Sequence, residues 1–168
     1  DEIQPVAEHL ERRLARPYGL DKGEWAYAMV QPTVLVEQML RGPIVDYKFH
    51  CAHGRVRWVQ VIWDRASGKA REAIFLPDGS LTSLHMDEKM VHDEDATKHP
   101  GADAWRALSE LAERLAEPWR YVRVDLYWSG GRPWFGELTF WPRAGCYRST
   151  DEPRFGAMLA LDLSERLA

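Results

Sequence analysis

Two carboxylates, Asp125 and Glu137, lie in the two arms of a predicted β-hairpin. Side chains alternate between the two faces of a strand, and the apolar residues of paired strands must face the same side. Val124 is therefore expected opposite Leu138, which places Asp125 opposite Glu137. The two acids are predicted to be cross-strand neighbours on one face of a sheet.

Acids in this arrangement repel each other. A Mg²⁺ ion would relieve the repulsion, since it is bound through one or two carboxylates together with substrate phosphates. Arg123 is expected on the same face and suits phosphate oxygens. Equally, Arg123 could bridge both acids in a structural ion-pair cluster, and alternation alone leaves both hypotheses open. Under the Mg²⁺ hypothesis, Asp125→Asn is expected to leave the fold intact or slightly stabilised.

The same pairing makes predictions about the rest of the hairpin. It requires a loop of odd length, so residues 129–132 are expected to form a three- or five-residue bulged loop that uses their two glycines. Trp134 and Phe140 are expected on the face of Leu138, and Phe135 and Thr139 on the face of Glu137.

Apolar periodicity predicts the elements that position this hairpin. Amphipathic helices are expected at 2–16, 104–115 and 154–167, and strands at 33–40, 45–51, 55–63, 71–76, 120–128 and 133–140. No repeat or linker interrupts them. We therefore predict an α+β fold in one domain, 1–168, an antiparallel sheet with helices packed on one face.

Composition narrows the classes of function. The 168 residues carry a net charge of −4, and 45% are apolar, which is enough for a core. The charge gives no sign of the basic surface that duplex nucleic acid requires. No apolar run approaches the length of a membrane span, and the two cysteines form no disulfide scaffold. A cytoplasmic location is expected.

Histidines give two weaker signals. His50 and Cys51 are potential zinc ligands, but alternation directs them to opposite faces of a strand, which favours a purely structural role. His85, His92 and His99 lie seven apart in the polar stretch 84–101. A solvated loop is the favoured interpretation, with a substrate-proximal or metal-binding loop as the alternative.

Three closely spaced motifs resemble a known family. Residues 123–127 (Arg-Val-Asp-Leu-Tyr), 136–140 (Gly-Glu-Leu-Thr-Phe) and 142–145 (Pro-Arg-Ala-Gly) are similar to the closing part of an ATP-grasp domain. Together with 34–40 and the Asp-Tyr-Lys-Phe motif at 46–49, they resemble the TupA-like branch, found in polysaccharide and teichuronopeptide gene clusters. The resemblance covers about residues 24–160.

This resemblance implies a role for each matching residue. Backbone groups around the adenine of ATP would come from Glu37, Gln38, Met39 and Leu40. Asp46 would bind the ribose, and Lys48 the phosphates, where it would also be catalytic with Arg123. Mg²⁺ would be held by Asp125, Glu137 and Thr139, the last in place of the Asn of the wider superfamily. The other face of the sheet would then form an open nucleotide cleft.

The implied activity is that of an ATP- and Mg²⁺-dependent carboxylate–amine ligase. Such an enzyme forms an acyl phosphate that an amine attacks, here on a sugar acid or amino acid in surface-polysaccharide assembly. The chain resembles the C-terminal half of the domain, because nothing before Glu24 resembles the Gly-rich loop and Lys of the earlier half. An N-terminal half is therefore an expected partner. Alternatives are a non-catalytic ATP-grasp remnant that binds a partner, or a glycosyltransferase-associated domain.

Overall fold

A computed structural model describes residues 3–16, 19, 23–93 and 98–159 of the chain. The chain divides into two compact units. The first comprises residues 1–39 and 143–146, and the second comprises residues 40–142 and 147–168.

The second unit is built on a seven-stranded sheet. Its strands are β1 (Asp46–Ala52), β2 (Arg55–Trp63), β3 (Arg71–Phe75), β4 (Leu81–Thr82), β5 (Val91–His92), β6 (Tyr121–Ser129) and β7 (Arg132–Thr139). The strand order is β4-β3-β2-β1-β6-β7 with antiparallel neighbours, and β5 pairs with β3 in parallel. With its helices, the sheet confirms the predicted α+β fold.

One face of this sheet is apolar and is covered by helix α2 (Ala102–Ala116). The helix buries Trp105, Leu108 and Ala112, which recur at helical spacing and so share one side of it. They pack against residues that alternate along the strands, such as Phe49 and Val124. This layer is the main core of the unit.

The opposite face receives a shorter helix, α3 (Glu152–Leu159), which begins two residues before the predicted start at 154. Phe155 of this helix packs on Trp58, with ring centroids 5.0 Å apart, and on Ile74. Residues 160–168, the rest of the predicted closing helix, lie outside the described residues.

The last hairpin has the predicted register at its functional end and a different turn. Asp125 pairs with Glu137, as expected. However, Ser129 pairs with Arg132, so the loop is a two-residue turn and not the predicted bulged loop of odd length. Both turn glycines have positive φ, 62° at 130 and 76° at 131, which suits a two-residue hairpin turn.

A β-bulge at Gly136 reconciles the short turn with the register, because one extra residue on β7 restores the parity. A Cβ at this position would lie 2.9 Å from the Asp125 carbonyl oxygen, so the close approach requires glycine. Beyond the bulge, Phe135 pairs with Leu126 and Trp134 with Tyr127. The predicted faces of Trp134 and Phe135 were therefore wrong.

In the first unit, helix α1 (Ile3–Leu14) confirms the predicted N-terminal helix. The predicted strand at 33–40 is wrong, because this segment forms no regular strand and most of its side chains are exposed, with Val36 at 94%. Apolar alternation indicated a strand here, but none of the described segments pairs with it. An open apolar groove of about 860 Å³ lies within this unit, and none of the predicted site residues lines it.

Candidate functional site

The predicted hairpin acids belong to a polar cluster on the sheet face opposite α2. It consists of Lys48, Arg123, Asp125, Glu137 and Thr139, and we call it the polar cluster. Strand register positions these side chains: Lys48 of β1 pairs with Asp125 of β6, which pairs with Glu137 of β7. Three neighbouring strands thus each direct a charged side chain to the same face.

Asp125 is the centre of the polar cluster and is only 3% exposed. Arg123 donates from Nε to Oδ1 over 2.7 Å and from Nη2 to Oδ2 over 2.8 Å, a bidentate pairing. The Nζ of Lys48 forms an ion pair with Oδ2. Both cations are themselves largely buried, so the carboxylate is the main compensation for two charges that are mostly removed from water.

Arg123 also reaches the second acid. Its Nη2 lies 2.8 Å from Glu137 Oε1 and 3.0 Å from Thr139 Oγ1, and the Thr139 hydroxyl donates to the same Glu137 oxygen over 2.7 Å. Burial alone would lower the pKa of Arg123, but its hydrogen bonds with Asp125 and the charges of Asp125 and Glu137 raise it above its ordinary value. The guanidinium stays charged and bridges the two acids.

This bridging is the ion-pair cluster that the sequence left open beside the Mg²⁺ hypothesis. The polar cluster contains two formal positive and two formal negative charges, so the facing acids are not left in unrelieved repulsion. The structure therefore changes what we expect of Asp125→Asn, because the substitution would leave Lys48 and Arg123 buried without their main partner.

The two acids differ in their access to solvent. The Glu137 side chain is 60% exposed, whereas that of Asp125 is enclosed by its cationic partners. Mg²⁺ prefers oxygen ligands of the kind that the polar cluster contains, and the carboxylate of Glu137 is the one exposed to solvent. Among the described residues, no three His, Cys, Asp or Glu side chains are grouped as a metal site. The hydroxyl of Thr139, phosphate oxygens or water would therefore have to complete the shell, which fits the way Mg²⁺ is usually held.

His50 borders the polar cluster, next to Arg123 in the β1–β6 register. It is fully buried, its Nδ1 lies 3.0 Å from the Tyr121 hydroxyl, and its ring stacks on Trp58 at 4.5 Å. Burial lowers its pKa well below the ordinary value, and the charges of Arg123 and Lys48 lower it further. The ring is therefore neutral and adds no third positive charge beside the two cations. The predicted separation of His50 and Cys51 holds, since Cys51 lies in the apolar layer.

The two predicted nucleotide-binding elements outside the polar cluster have different surroundings. Asp46 is buried at the start of β1 and accepts a hydrogen bond from Arg65 Nε over 2.6 Å. Burial raises the pKa of the neighbouring Tyr127 to about 12, with a further contribution from Asp46. Residues 37–39 are exposed, and Leu40 is half-buried. The roles predicted for Asp46 and for Glu37, Gln38, Met39 and Leu40 stay predictions.

The arrangement of a lysine on β1, an Arg-x-Asp motif on β6 and an acid on β7 agrees with a comparison against protein families. The family model described as TupA-like ATPgrasp matches residues 1–159. The chain belongs to the TupA-like ATP-grasp family. Membership assigns it to the ATP-grasp superfamily, whose members use ATP, generally with Mg²⁺, in reactions of the ligase kind on small molecules. No curated protein and no solved structure matches the chain.

Within the described ranges, no helix has both the length and the apolar character needed to cross a bilayer.

Proposed function

We propose that the chain carries the Mg²⁺–ATP phosphate site of a carboxylate–amine ligase that acts on a sugar acid or amino acid in surface-polymer biosynthesis. The observation that supports this most is the polar cluster itself: two cations and two acids on adjacent strands, of which Lys48, Arg123 and Asp125 are almost completely buried. Buried charges of this density are unfavourable unless they are paired, and family membership supplies a reason to retain them.

Each residue of the polar cluster has a role in this proposal. Lys48 and Arg123 bind the phosphate oxygens of ATP and neutralise charge as the terminal phosphoryl group passes to the carboxylate, a reaction that depends mainly on positioning and electrostatics. Asp125, Glu137 and Thr139 hold Mg²⁺, which supplies further charge neutralisation when bound. Asp125 keeps the two cations in position before the nucleotide arrives.

Binding and chemistry are tested separately. Calorimetric titration with Mg²⁺–ATP measures nucleotide binding without knowledge of the donor. The second assay mixes the chain with Mg²⁺–ATP, hydroxylamine and a panel of uronic acids and amino acids, because hydroxylamine converts an acyl phosphate to a hydroxamate that can be quantified. We expect Mg²⁺–ATP binding and ATP-dependent hydroxamate from at least one donor.

Matched variants identify the groups responsible. Lys48→Met is expected to lower hydroxamate formation at least about 100-fold, a typical effect of removing an electrostatic contact to developing charge. Glu113→Gln is the control, since Glu113 pairs with Arg55 on the α2 side of the sheet. Equal losses in both variants would contradict the assignment.

The second candidate function is a non-catalytic remnant that binds a partner. It is favoured by one observation, the mutual compensation of all four charges within the polar cluster. If Mg²⁺–ATP binds but no donor yields hydroxamate, the non-catalytic binding module would be favoured over the ligase.

A further inference from the structure

A second ion pair lies on the sheet face that carries the polar cluster. Arg65, in the short 3₁₀ turn Arg65–Ser67 after β2, donates from Nε to Asp46 Oδ2 over 2.6 Å. Asp46 lies two residues before Lys48 on β1, so the two side chains share a face and their Cα atoms are about 7 Å apart. The guanidinium of Arg65 is therefore held at the border of the polar cluster.

Tyr127 connects this ion pair to the polar cluster. It lies two residues after Asp125 on β6, and its hydroxyl forms a hydrogen bond with Asp46. Burial, followed by the charge and hydrogen bond of Asp46 and by the charges of Asp125 and Glu137, raises the pKa of Tyr127 to about 12. Three carboxylates thus act on one hydroxyl, so Asp46 and the polar cluster belong to one continuous polar surface.

The backbone fixes the position of Arg65. The preceding residue, Asp64, has a φ of 55°, a left-handed conformation that is uncommon for residues other than glycine. Its carbonyl accepts hydrogen bonds from the backbone N–H of Ser67 over 3.1 Å and from the Ser67 hydroxyl over 2.7 Å. These bonds close the turn after β2, from which the side chain of Arg65 returns to Asp46 on β1.

Arg65 keeps donors that its ion pair does not use. Its side chain is 53% exposed, whereas that of Asp46 is 9% exposed. Only Nε is engaged, and the two terminal Nη atoms donate to no group in the part of the chain that the structure describes. A guanidinium carries five N–H donors in a planar fork that matches phosphate oxygens. A ligand that approaches this pair therefore meets the cation and not the acid.

Another charged group on this face, Glu72 of β3, has no such capacity. It has no exposed surface, and its Oε2 accepts a hydrogen bond from Gln60 Nε2 over 2.6 Å. Its Oε1 accepts the backbone N–H groups of Met86 and Asp87 over 2.7 and 3.0 Å. These bonds tie the loop after β4 to the sheet, so the polar stretch predicted as a solvated loop is in part buried. Glu72 is thus a structural anchor, whereas Arg65 can bind a ligand.

The charge of the nucleotide indicates which group Arg65 binds. The polar cluster is formally neutral, with two cations and two acids, so it offers no excess positive charge to a triphosphate. The donor carboxylate is the reacting group and must lie at the terminal phosphate, next to Lys48 and Arg123 in the proposed site. The inner phosphates extend away from that point, over a length comparable with the step from Lys48 to Asp46.

We propose that Arg65, oriented by Asp46, binds an inner phosphate of the nucleotide, an inference that rests on the proposed function. The two Nη atoms donate to phosphate oxygens while Nε stays on Asp46, and this arrangement allows a pair of parallel N–H···O bonds. Asp46 is a positioning residue, which holds the guanidinium beside the polar cluster before the nucleotide arrives.

Calorimetric titration with Mg²⁺–ATP and with Mg²⁺–tripolyphosphate tests this proposal. Tripolyphosphate has the same chain of phosphates but no nucleoside, so it reports on the phosphate contacts alone. In Arg65→Gln, we expect both dissociation constants to rise about 10-fold or more, the usual effect of losing a hydrogen bond between charged groups. Arg65→Lys, which keeps the charge but not the planar fork, should show a smaller rise.

Arg71→Gln is the matched control. Arg71 forms an ion pair with Asp93, and their side chains are 43% and 13% exposed, much as in the pair of Arg65 and Asp46. Arg71 is opposite Trp63 in the register of β2 and β3, and Trp63 lies in the apolar layer, so Arg71 points away from the polar cluster. We expect Arg71→Gln to leave both dissociation constants unchanged.

Asp46→Asn tests the positioning role. Its amide oxygen can still accept from Arg65 but carries no charge, so the affinity for Mg²⁺–tripolyphosphate should lie between those of the wild type and Arg65→Gln. In the Arg65→Gln background, the same substitution should have little further effect, because Asp46 acts through Arg65. An equal loss of affinity in both backgrounds would contradict this role.

Four results would overturn the proposal. Dissociation constants of Arg65→Gln that match those of Arg71→Gln would show that Arg65 makes no specific phosphate contact. A loss for Mg²⁺–ATP but not for Mg²⁺–tripolyphosphate would assign Arg65 to the nucleoside. Unchanged binding of both probes, with more donor needed for hydroxamate formation, would assign it to the donor carboxylate. If the wild type binds neither probe, the proposed function fails as well, which distinguishes this failure from the other three.

Discussion

The two faces of the central sheet are built from the same strands and are stabilised in different ways. On β6, Val124 and Leu126 point into the apolar layer under α2, whereas Arg123 and Asp125 point into the polar cluster. All four are almost completely removed from solvent. The apolar side chains need only complementary volume, while the charged ones need specific partners at specific distances.

The difference indicates that stability alone does not account for the charged residues of the polar face. Replacing a buried ion-pair cluster by apolar residues of similar volume is often neutral or stabilising, so such clusters are weak evidence for a stabilising role. The burial of Lys48, Arg123 and Asp125 on the adjacent strands β1 and β6 is what the proposed phosphate site would require. The apolar face packs against α2 and fixes the register of the strands that carry the polar cluster.

The largest effect is expected from breaking the centre of the polar cluster. Asp125→Asn removes the carboxylate shared by Lys48 and Arg123 and leaves two buried cations with much less compensation. The free energy of unfolding should fall by about 3–5 kcal/mol, as for other broken buried ion pairs. Urea unfolding followed by circular dichroism measures it.

A matched substitution on the neighbouring residue sharpens this comparison. Leu126→Ala, on the opposite face of the same strand, should cost about 2–5 kcal/mol through a cavity. Adding Lys48→Met should recover part of the loss in Asp125→Asn and none of it in Leu126→Ala, because only the former leaves Lys48 unpaired. Equal recovery in both backgrounds would contradict the distinction between the two faces.

The β-bulge at Gly136 gives the next largest effect. Gly136→Ala introduces a Cβ 2.9 Å from both the Asp125 carbonyl oxygen and the Tyr127 ring. We expect a loss of about 1–3 kcal/mol, typical of overpacking, measured by urea unfolding. Gly130→Ala at the open turn has no such contact, so its cost should come only from its positive φ. A smaller loss at 136 than at 130 would argue against the bulge.

A smaller effect is the dependence of stability on pH that comes from His50 on the polar face. Burial, and then the charges of Arg123 and Lys48, lower the pKa of His50 in the folded state. Above about pH 6.5, the ring is neutral in both folded and unfolded chains. As the pH falls below that value, only the unfolded chain binds the proton, so stability is lost by at most about 1.4 kcal/mol per pH unit.

The dependence on His50 is measured by urea unfolding between about pH 7.5 and 5.5, around the ordinary histidine pKa. His50→Gln should reduce the slope of stability against pH by up to one proton, whereas the exposed His9→Gln should not change it. An unchanged slope in His50→Gln would mean that the ring titrates normally in the folded state.

The parts of the site that could be predicted follow from local alternation. The facing of Asp125 and Glu137 follows from Val124 and Leu138 having to share the apolar side, and the structure has that register. The turn could not be predicted in the same way, because the bulge at Gly136 changes the parity by one residue. A glycine within a strand was the available signal for a bulge.

What the sequence could not reveal depends on contacts between distant segments. The resemblance assigned Lys48 and Asp125 to one ATP site, but their direct ion pair depends on the pairing of β1 with β6, which joins residues 77 apart in the chain. Glu72 was missed because an acid in a strand usually faces solvent, yet it shares its face with the buried Ile74. The segment 33–40 has a strand-like pattern, but a strand also needs a partner, which a local pattern cannot supply.

The most direct test of the account is the effect of Mg²⁺–ATP on the thermal melting of wild type, Glu137→Gln and Glu113→Gln. Glu137 and Glu113 are partly exposed, and each forms an ion pair with a different arginine. Each substitution alone should therefore lower the free energy of unfolding by no more than about 1 kcal/mol. Glu137 faces the proposed phosphate site, and Glu113 lies on the α2 side. We predict that Mg²⁺–ATP raises the melting temperature of wild type and Glu113→Gln and has little effect on Glu137→Gln, since a ligand that binds the folded state weakly at the concentration used stabilises it little. The same rise in all three proteins would contradict the assignment of the polar cluster as the Mg²⁺–ATP site.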